Sequence, residues 1–71
     1  MSEQTTATIT VDRDHRGAWT VERLDTEDRE RCATLADALN AARRRAHDCA
    51  PAEVLVHDAY HRVVVRERIR R

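Results

Sequence analysis

Apolar and polar residues alternate strictly near the start of the chain. In residues 6–11 (TATITV), Ala7, Ile9 and Val11 point to one side and three threonines point to the other. A period of two is the pattern of a strand that buries one face and exposes the other. The alternation therefore predicts a half-buried β-strand.

A second extended stretch follows a polar turn. Residues 12–17 (DRDHRG) contain the only glycine of the chain, and residues 18–24 (AWTVERL) place Trp19 and Val21 on one face. Two extended stretches joined in this way predict an antiparallel hairpin with a long loop.

The next segment, residues 25–33 (DTEDRERCA), is densely charged and shows neither a strand period nor a helix period. Such a composition is typical of a connection between elements. The segment therefore predicts a loop, or a loop that includes a short strand around residues 31–33.

A single helix is the clearest feature of the pattern. Thr34 is a favourable N-cap residue, and Asp37 lies where a carboxylate stabilises the helix N-terminus. Apolar residues then recur at helical spacing, which predicts a helix from about residue 35 to about residue 48, and Pro51 prevents it from continuing. The residues on its inward face are Leu35, Leu39, Ala42 and Ala46, flanked by Ala38 and Cys49.

Two further stretches, AEVLVHD and HRVVVRERIRR, follow the proline and are joined near residues 58–60. Their valine and isoleucine content predicts a second hairpin, so the expected order is β-β-α-β-β. We expect an α+β fold, a four-stranded antiparallel sheet with one helix packed on one face and the other face open. Residues 6–71 would form this single domain, preceded by a flexible polar tail of residues 1–5.

The composition leaves little material for a core. The chain has 71 residues, of which 37% are charged, with one Trp, one Tyr and no Phe. A domain of this size buries only about 60% of the surface of its unfolded chain, and small domains often gain stability by pairing. We therefore expect a homodimer in which a partner covers the open sheet face. The predicted core residues are Trp19, Val21, Leu35, Leu39, Ala42 and Ala46.

The charges are balanced overall but unevenly distributed. Thirteen basic residues, all arginine, match thirteen acidic residues. Residues 1–35 hold five arginines and eight acids, a net charge of −3, whereas residues 36–71 hold eight and five, a net charge of +3. Such an asymmetry can steer a partner or pair two copies head to tail. The two net charges cancel if residues of the two halves lie next to each other in the fold, and this is the favoured interpretation.

The C-terminal strand sorts its residues by parity. If it stays extended, an apolar stripe of Val63, Val65 and Ile69 lies on one side and arginines lie on the other. An arginine ladder can contact phosphates, protect a sheet edge from aggregation, or pair with acidic neighbours. The candidate contact residues are Arg62, Arg66, Arg68 and Arg70 in the strand, and Arg43, Arg44 and Arg45 in the helix.

Histidine and cysteine side chains suggest further chemistry. His57 and His61 flank the second turn with Asp58 between them, but this is an incomplete zinc ligand set, so structural histidines are favoured. Cys32 and Cys49 stand at opposite ends of a helix about 20 Å long, so one ion cannot bridge them. We expect no metal, no other cofactor and no enzymatic activity.

Three motifs point to a family. The stretch WTV at residues 19–21 matches a W-x-V signature, and EVLVH at residues 53–57 matches a closing strand of the form E-L-V-V-H. A T-x-x-x-A-x-x-x-A-x-x-x-A helix is matched by Thr34, Ala38, Ala42 and Ala46. Over residues 8–65 the chain thus resembles the small prokaryotic proteins grouped as domain of unknown function 2188. The resemblance supports the fold and implies no function.

The second turn departs from that family. The family typically continues with a tight turn of the form G-x-D-G, whereas this chain has DAYH at residues 58–61. Glycine permits the positive φ that a two-residue hairpin turn requires. The connection in this chain is therefore expected to be wider.

Two functions are compatible with these features. We expect an interaction module that dimerises through its sheet and presents a surface to an unknown protein partner. The alternative is a nucleic-acid-binding protein that uses the arginine ladder, although aromatic stacking platforms are scarce. The polar start MSEQTTAT does not resemble a signal peptide and no apolar run approaches ~18 residues, which favours the cytoplasm and no membrane contact.

Overall fold

One helix packs on one face of a mixed sheet. The computed structural model describes residues 6–24 and 26–70, so the predicted tail at residues 1–5 lies outside the described residues. The α+β class is confirmed. The elements, in chain order, are β1 (Ala7–Arg13), β2 (Trp19–Arg23), β3 (Arg29–Cys32), α1 (Leu35–Asp48), β4 (Ala52–His57) and β5 (Val63–Ile69).

The sheet has five strands in the order β3-β2-β1-β4-β5, so the prediction of four strands is wrong. The additional strand is β3, which pairs antiparallel with β2 and places Cys32 opposite Trp19. Its sequence, RERC, is mostly charged and has no apolar alternation. Backbone pairing with β2 forms this strand, and a hydrophobic period cannot reveal it.

The prediction of an entirely antiparallel sheet is also wrong, because β1 and β4 are parallel. Their register places Ile9 beside Val54 and Val11 beside Val56. All four side chains are buried, at 2% exposure or less. A strand that follows a helical crossover can run parallel to an earlier strand, and here that arrangement places side by side the two strands that carry four of the five largest fully buried side chains.

The helix begins and ends where its capping signals predict. The side chain of Thr34 accepts a hydrogen bond of 3.1 Å from the backbone N–H of Asp37. The helical range Leu35–Asp48 agrees with the predicted one. At 14 residues, α1 is too short to cross a membrane, and the described part of the chain contains no candidate spanning helix.

Alanines form the surface of α1 that meets the sheet. Ala38, Ala41, Ala42 and Ala46 are buried, and Leu39 is half-buried against the same core. The assignment of Leu35 to the core is wrong, because this residue is 37% exposed. Helical side chains lean toward the N-terminus, so Leu35, the first helical residue, leans away from the elements that could cover it.

The opposing sheet surface supplies the larger core side chains. Val21 is fully buried in β2, and Trp19 packs against the core while remaining partly exposed. The guanidinium of Arg13 lies 5.8 Å from the centre of the Trp19 ring, within the range of a cation–π contact. Trp19 therefore lies at the border of the core, between the apolar layer and a solvent-exposed arginine.

The two hairpin turns share one geometry. Asp14 accepts hydrogen bonds on Oδ1 from the amides of Arg16 and Ala18, at 2.8 and 2.9 Å. Asp58 does the same for residues 60 and 62, at 2.8 and 3.0 Å. In each turn the fourth residue has a positive φ, 86° at Gly17 and 61° at His61. The second connection is thus a wider, five-residue turn at residues 58–62, as expected without glycine.

This shared geometry predicts opposite effects of two substitutions. A positive φ costs a residue with a Cβ about 1 kcal/mol. Gly17→Ala should therefore lower the free energy of unfolding by about 1 kcal/mol, since a Cβ there meets only Nη2 of Arg13 at 3.7 Å, an ordinary van der Waals contact, and only the backbone conformation is penalised. His61→Gly should raise it by about 0.5–1 kcal/mol. Urea unfolding measures both, and a change of the same sign in the two variants contradicts the shared geometry.

The turn carboxylates also predict an acid-dependent stability. Burial raises the pKa of Asp14, but the amides of Ala18 and Arg16 and the charges of Arg31 and His15 outweigh it, so this pKa lies below 3.8. The amide of Arg62 is the main cause of the lowered pKa of Asp58.

A carboxylate whose pKa is lower in the native state than in the unfolded state stabilises the fold at pH values above the unfolded-state pKa. This stabilisation is lost as the pH falls through the native-state pKa. The urea midpoint of the native chain should therefore fall steeply below about pH 4. The double variant Asp14→Asn, Asp58→Asn should show a shallower fall. Equal slopes for the two proteins would contradict the role of the turn carboxylates.

Candidate interaction surfaces

A register shift changes the parity of the C-terminal strand. Between Val56 and His57 the pairing of β4 with β5 shifts by one residue, so Val65 lies opposite Val56 whereas Val63 lies opposite His57. Val64 is the extra residue of this irregularity. Because Val56 faces the helix and His57 faces away from it, the assignment of Val63 and Val65 to a single stripe is wrong.

The arginine ladder is shorter than its parity predicted. Arg66 and Arg68 lie in β5 on the side away from the helix, and both approach Glu53 of β4, with nitrogen–oxygen distances of 3.0 and 4.0 Å. Arg62 precedes the strand and instead contacts Asp58 in the turn, at 3.0 Å. Arg70 follows the last residue of β5. The ladder therefore has two arginines, and the prediction of four is wrong.

The helix arginines lie on the opposite side of the sheet from the ladder. Arg43 reaches Glu67 in β5, with its closest nitrogen–oxygen distance at 3.1 Å. Arg45 contacts Asp28 and also Glu30 of β3, the latter at 3.0 Å. Residues that are two positions apart in a helix point about 200° away from each other around the helix axis. Arg43 and Arg45 therefore extend toward different strands.

The seven predicted arginines consequently do not form one contact surface. Arg43 connects α1 to β5, and Arg45 connects α1 to β3 and to the loop before it. Arg44, between them, is exposed. Of these seven arginines, the structure brings only Arg66 and Arg68 together, and both approach the carboxylate of Glu53 in β4.

Valines at one corner of the sheet are an exposed feature that the parity argument missed. Val63, Val64 and Val65 are 46%, 57% and 44% exposed, and Tyr60 in the adjoining turn is 78% exposed. These four residues, with Val63 on the face away from the helix and Val65 on the helix side, are named the valine corner. Helix α1 covers the central strands and touches β5 least, so the apolar side chains of this edge strand remain uncovered. The signal for this exposed feature in the sequence is the run of three consecutive valines, which breaks the strict alternation of a strand.

A histidine and an aspartate lie close together on the open face. His57 Nδ1 lies 3.1 Å from Asp12 Oδ1, because the parallel register of β1 and β4 places these residues side by side. His61 lies in the turn with an exposed side chain. Within residues 6–24 and 26–70, no three side chains of His, Cys, Asp or Glu group as metal ligands would.

The cysteine thiols are held in different surroundings. Burial, and next the charge of Glu30, raises the pKa of the Cys32 thiol above 9.0, so this thiol stays protonated at neutral pH. Cys49 Sγ donates to the backbone oxygen of Arg45 at 3.0 Å. Both cysteines are free, and they flank opposite ends of α1.

These features define a small α+β domain with a single helix on a five-stranded mixed sheet. The model of a family described as "Uncharacterized protein conserved in bacteria (DUF2188)" matches residues 9–70. The chain belongs to this family, domain of unknown function 2188, which confirms the resemblance carried by the three motifs. No curated protein and no solved structure matches the chain.

The neighbouring helix arginines predict a contrast in stability. Arg45 has a side chain 21% exposed that contacts two carboxylates, so Arg45→Ala should lower the free energy of unfolding by about 1–2 kcal/mol. The matched control, Arg44→Ala, should change it by less than about 0.5 kcal/mol. Chemical denaturation compares the two, and an equal loss in both variants would contradict a structural role specific to Arg45.

Proposed function

We propose that the protein is a non-enzymatic interaction module that dimerises through its sheet. The observation that carries this proposal is the valine corner, a set of exposed apolar side chains on both sides of an edge strand that the helix leaves uncovered. Exposed apolar patches on small soluble domains commonly mark sites of protein contact. The sheet therefore provides a surface suited to association.

The size of the core supports association. The largest fully buried side chains are Ile9, Val11, Val21, Val54 and Val56, and the helix contributes alanine. Because a domain of this size buries a small share of its surface, the burial added by a second copy is a large gain relative to its own stability.

The placement of the reactive side chains supports a non-enzymatic role. Asp12 Oδ1 lies 3.1 Å from Nδ1 of His57, as a carboxylate beside a general base would, although no hydrogen bond joins the two side chains. However, Cys32 packs in the core between the sheet and α1, whereas His57 faces away from the helix. The sheet separates the thiol from the imidazole, and the raised pKa of Cys32 disfavours its nucleophilic thiolate form.

Nucleic-acid binding is the competing proposal, and one observation favours it. The side chains of Arg66 and Arg68 are 60% and 70% exposed, so their guanidinium groups remain accessible to phosphate. Glu53 weakens this case, because its carboxylate already approaches both arginines and would repel a phosphate.

One pair of experiments separates the two functions. We expect the sedimentation mass of the native chain to rise from monomer toward dimer between roughly 10 µM and 1 mM protein. We expect no mobility shift of single-stranded or duplex nucleic acid at about 50 mM salt, where phosphate contacts are strongest. A constant monomer mass over the whole range would contradict dimerisation.

A mobility shift would instead favour the competing proposal, and arginine variants would test it. Replacing Arg66 and Arg68 by Gln should abolish such a shift if the ladder binds phosphate. The matched control replaces Arg16 and Arg44, which are exposed outside β5, and removes the same charge. Equal loss of the shift in both variants would show a nonspecific dependence on net charge.

A further inference from the structure

We propose that the outer edge of β5 is a docking site for an extended segment of another protein, which alternates acidic and apolar side chains and pairs with β5 as an added strand. Main-chain hydrogen bonds supply the affinity in this mode of recognition, and alternate side chains supply the specificity. The inference rests on the proposed interaction module and names the chemistry of its protein partner.

The edge of β5 is open and regular over part of its length. In the described sheet β5 has β4 as its single neighbour, so alternate residues direct their backbone N–H and C=O groups outward. Residues 65–69 pair with β4 without interruption, and the extra residue Val64 ends this regular stretch. The edge therefore offers pairing groups for a short added strand.

An added strand covers both faces of an edge, and β5 carries exposed apolar side chains on both. Val63 lies on the face away from the helix and Val65 on the helix side, and they are 46% and 44% exposed. A partner that packs on one face of the sheet leaves one of these side chains in water. Successive residues of a neighbouring strand point to opposite faces, so a segment beside β5 reaches both.

The face away from the helix carries surplus positive charge at this edge. Arg66 and Arg68 share the carboxylate of Glu53, at 3.0 and 4.0 Å, and remain 60% and 70% exposed. Arg70 is also exposed and lines the same surface depression as Arg68 and Glu53. In the described part of the chain no other acid contacts these three arginines. The occupant that complements this charge is acidic.

The position of Glu53 is compatible with an acidic segment. Residues directly opposite each other on neighbouring strands have Cβ atoms about 5 Å apart, so acids of the added strand lie next to Arg66 and Arg68. Glu53 belongs to β4, whose backbone is two strand spacings, or about 10 Å, from the added strand. Salt largely screens charges at that separation. A phosphate that binds both guanidinium groups at once, by contrast, lies close to the carboxylate that both contact.

A second copy of β5 does not match this edge. When two β5 edges pair antiparallel about a two-fold axis, residues on the same face stand opposite each other. The order Arg66, Glu67, Arg68 then sets arginine against arginine in the registers that pair residues 65–69. Like charges directly opposite each other destabilise a sheet, so the added strand comes from a different sequence.

A short synthetic peptide tests the site. Acetyl-Gly-Val-Glu-Thr-Glu-Val-Gly-amide reads the same in both directions, so its two acids meet Arg66 and Arg68 in either strand orientation. In ¹⁵N–¹H spectra of about 50 µM native chain, saturable shifts should cluster at residues 63–70, with a dissociation constant of roughly 0.1–1 mM. A control peptide with arginine in place of both glutamates should bind at least about 10-fold more weakly. Shifts clustered on α1 or β3 would overturn the site.

Two matched double variants separate the site from a general attraction of charge. Arg66→Gln with Arg68→Gln should weaken binding of the acidic peptide at least about 10-fold. The control is Arg29→Gln with Arg31→Gln, because these arginines of the other edge strand lie on the same face and are 65% and 60% exposed. It should keep the dissociation constant within about twofold. An equal loss in both variants would overturn the site.

Both double variants should keep the native melting temperature within a few degrees, since exposed ion pairs contribute little to stability. The comparison of the two peptides on the native chain tests the site without any substitution.

Amide hydrogen exchange tests whether the peptide pairs as a strand. At a peptide concentration about ten times the dissociation constant, alternate amides among residues 65–69 should exchange about 10-fold more slowly. Peptide binding that leaves these exchange rates unchanged would overturn strand addition.

The outcomes distinguish this inference from the proposed function. If the native chain dimerises and the acidic peptide does not bind, the docking edge is wrong and the dimerising module stands. If the peptide binds as expected and the chain stays monomeric, the docking edge stands and dimerisation fails. If neither association occurs, both proposals fail.

Discussion

The parallel pairing of β1 with β4 is the contact on which the other features of this domain depend. It places Ile9 and Val11 beside Val54 and Val56, and these four side chains form the centre of the core. The same pairing brings His57 alongside Asp12, and it makes β5 an edge strand with a single neighbour. The exposed valines and the exposed arginines of β5 both follow from that edge position.

The alanines of α1 determine how that core is closed. Small side chains allow the helix to lie close to the β-branched residues of the central strands, so a core without phenylalanine can still exclude water. Few large side chains hold the helix in place, and ion pairs at its flanks supplement them. Arg43 reaches β5 and Arg45 reaches β3. These two residues, which the sequence predicts as partner contacts, instead join the helix to the sheet.

In the C-terminal strand, a period of two predicts the orientation of only some of the side chains. Alternation sorted its arginines and valines onto two faces, and it held for Arg66, Arg68 and Ile69. The single-residue shift near Val64 reversed the assignment of Val63, and the turn around Asp58 removed Arg62 from the strand. A period of two assumes uninterrupted pairing, and an irregularity in the partner strand is invisible in the sequence of the strand itself.

The sequence by itself determined the helix, its N-cap at Thr34, both hairpins and the α+β class, because caps, turns and periodicity act within a few residues of each other. Only the tertiary structure decided that β3 exists as a strand, that β4 lies parallel to β1, and which arginines contact which acids. Those outcomes depend on backbone groups and charges far apart in the chain, such as Arg43 and Glu67. The apolar surface left over at the valine corner is likewise set by where the helix lies across the completed sheet.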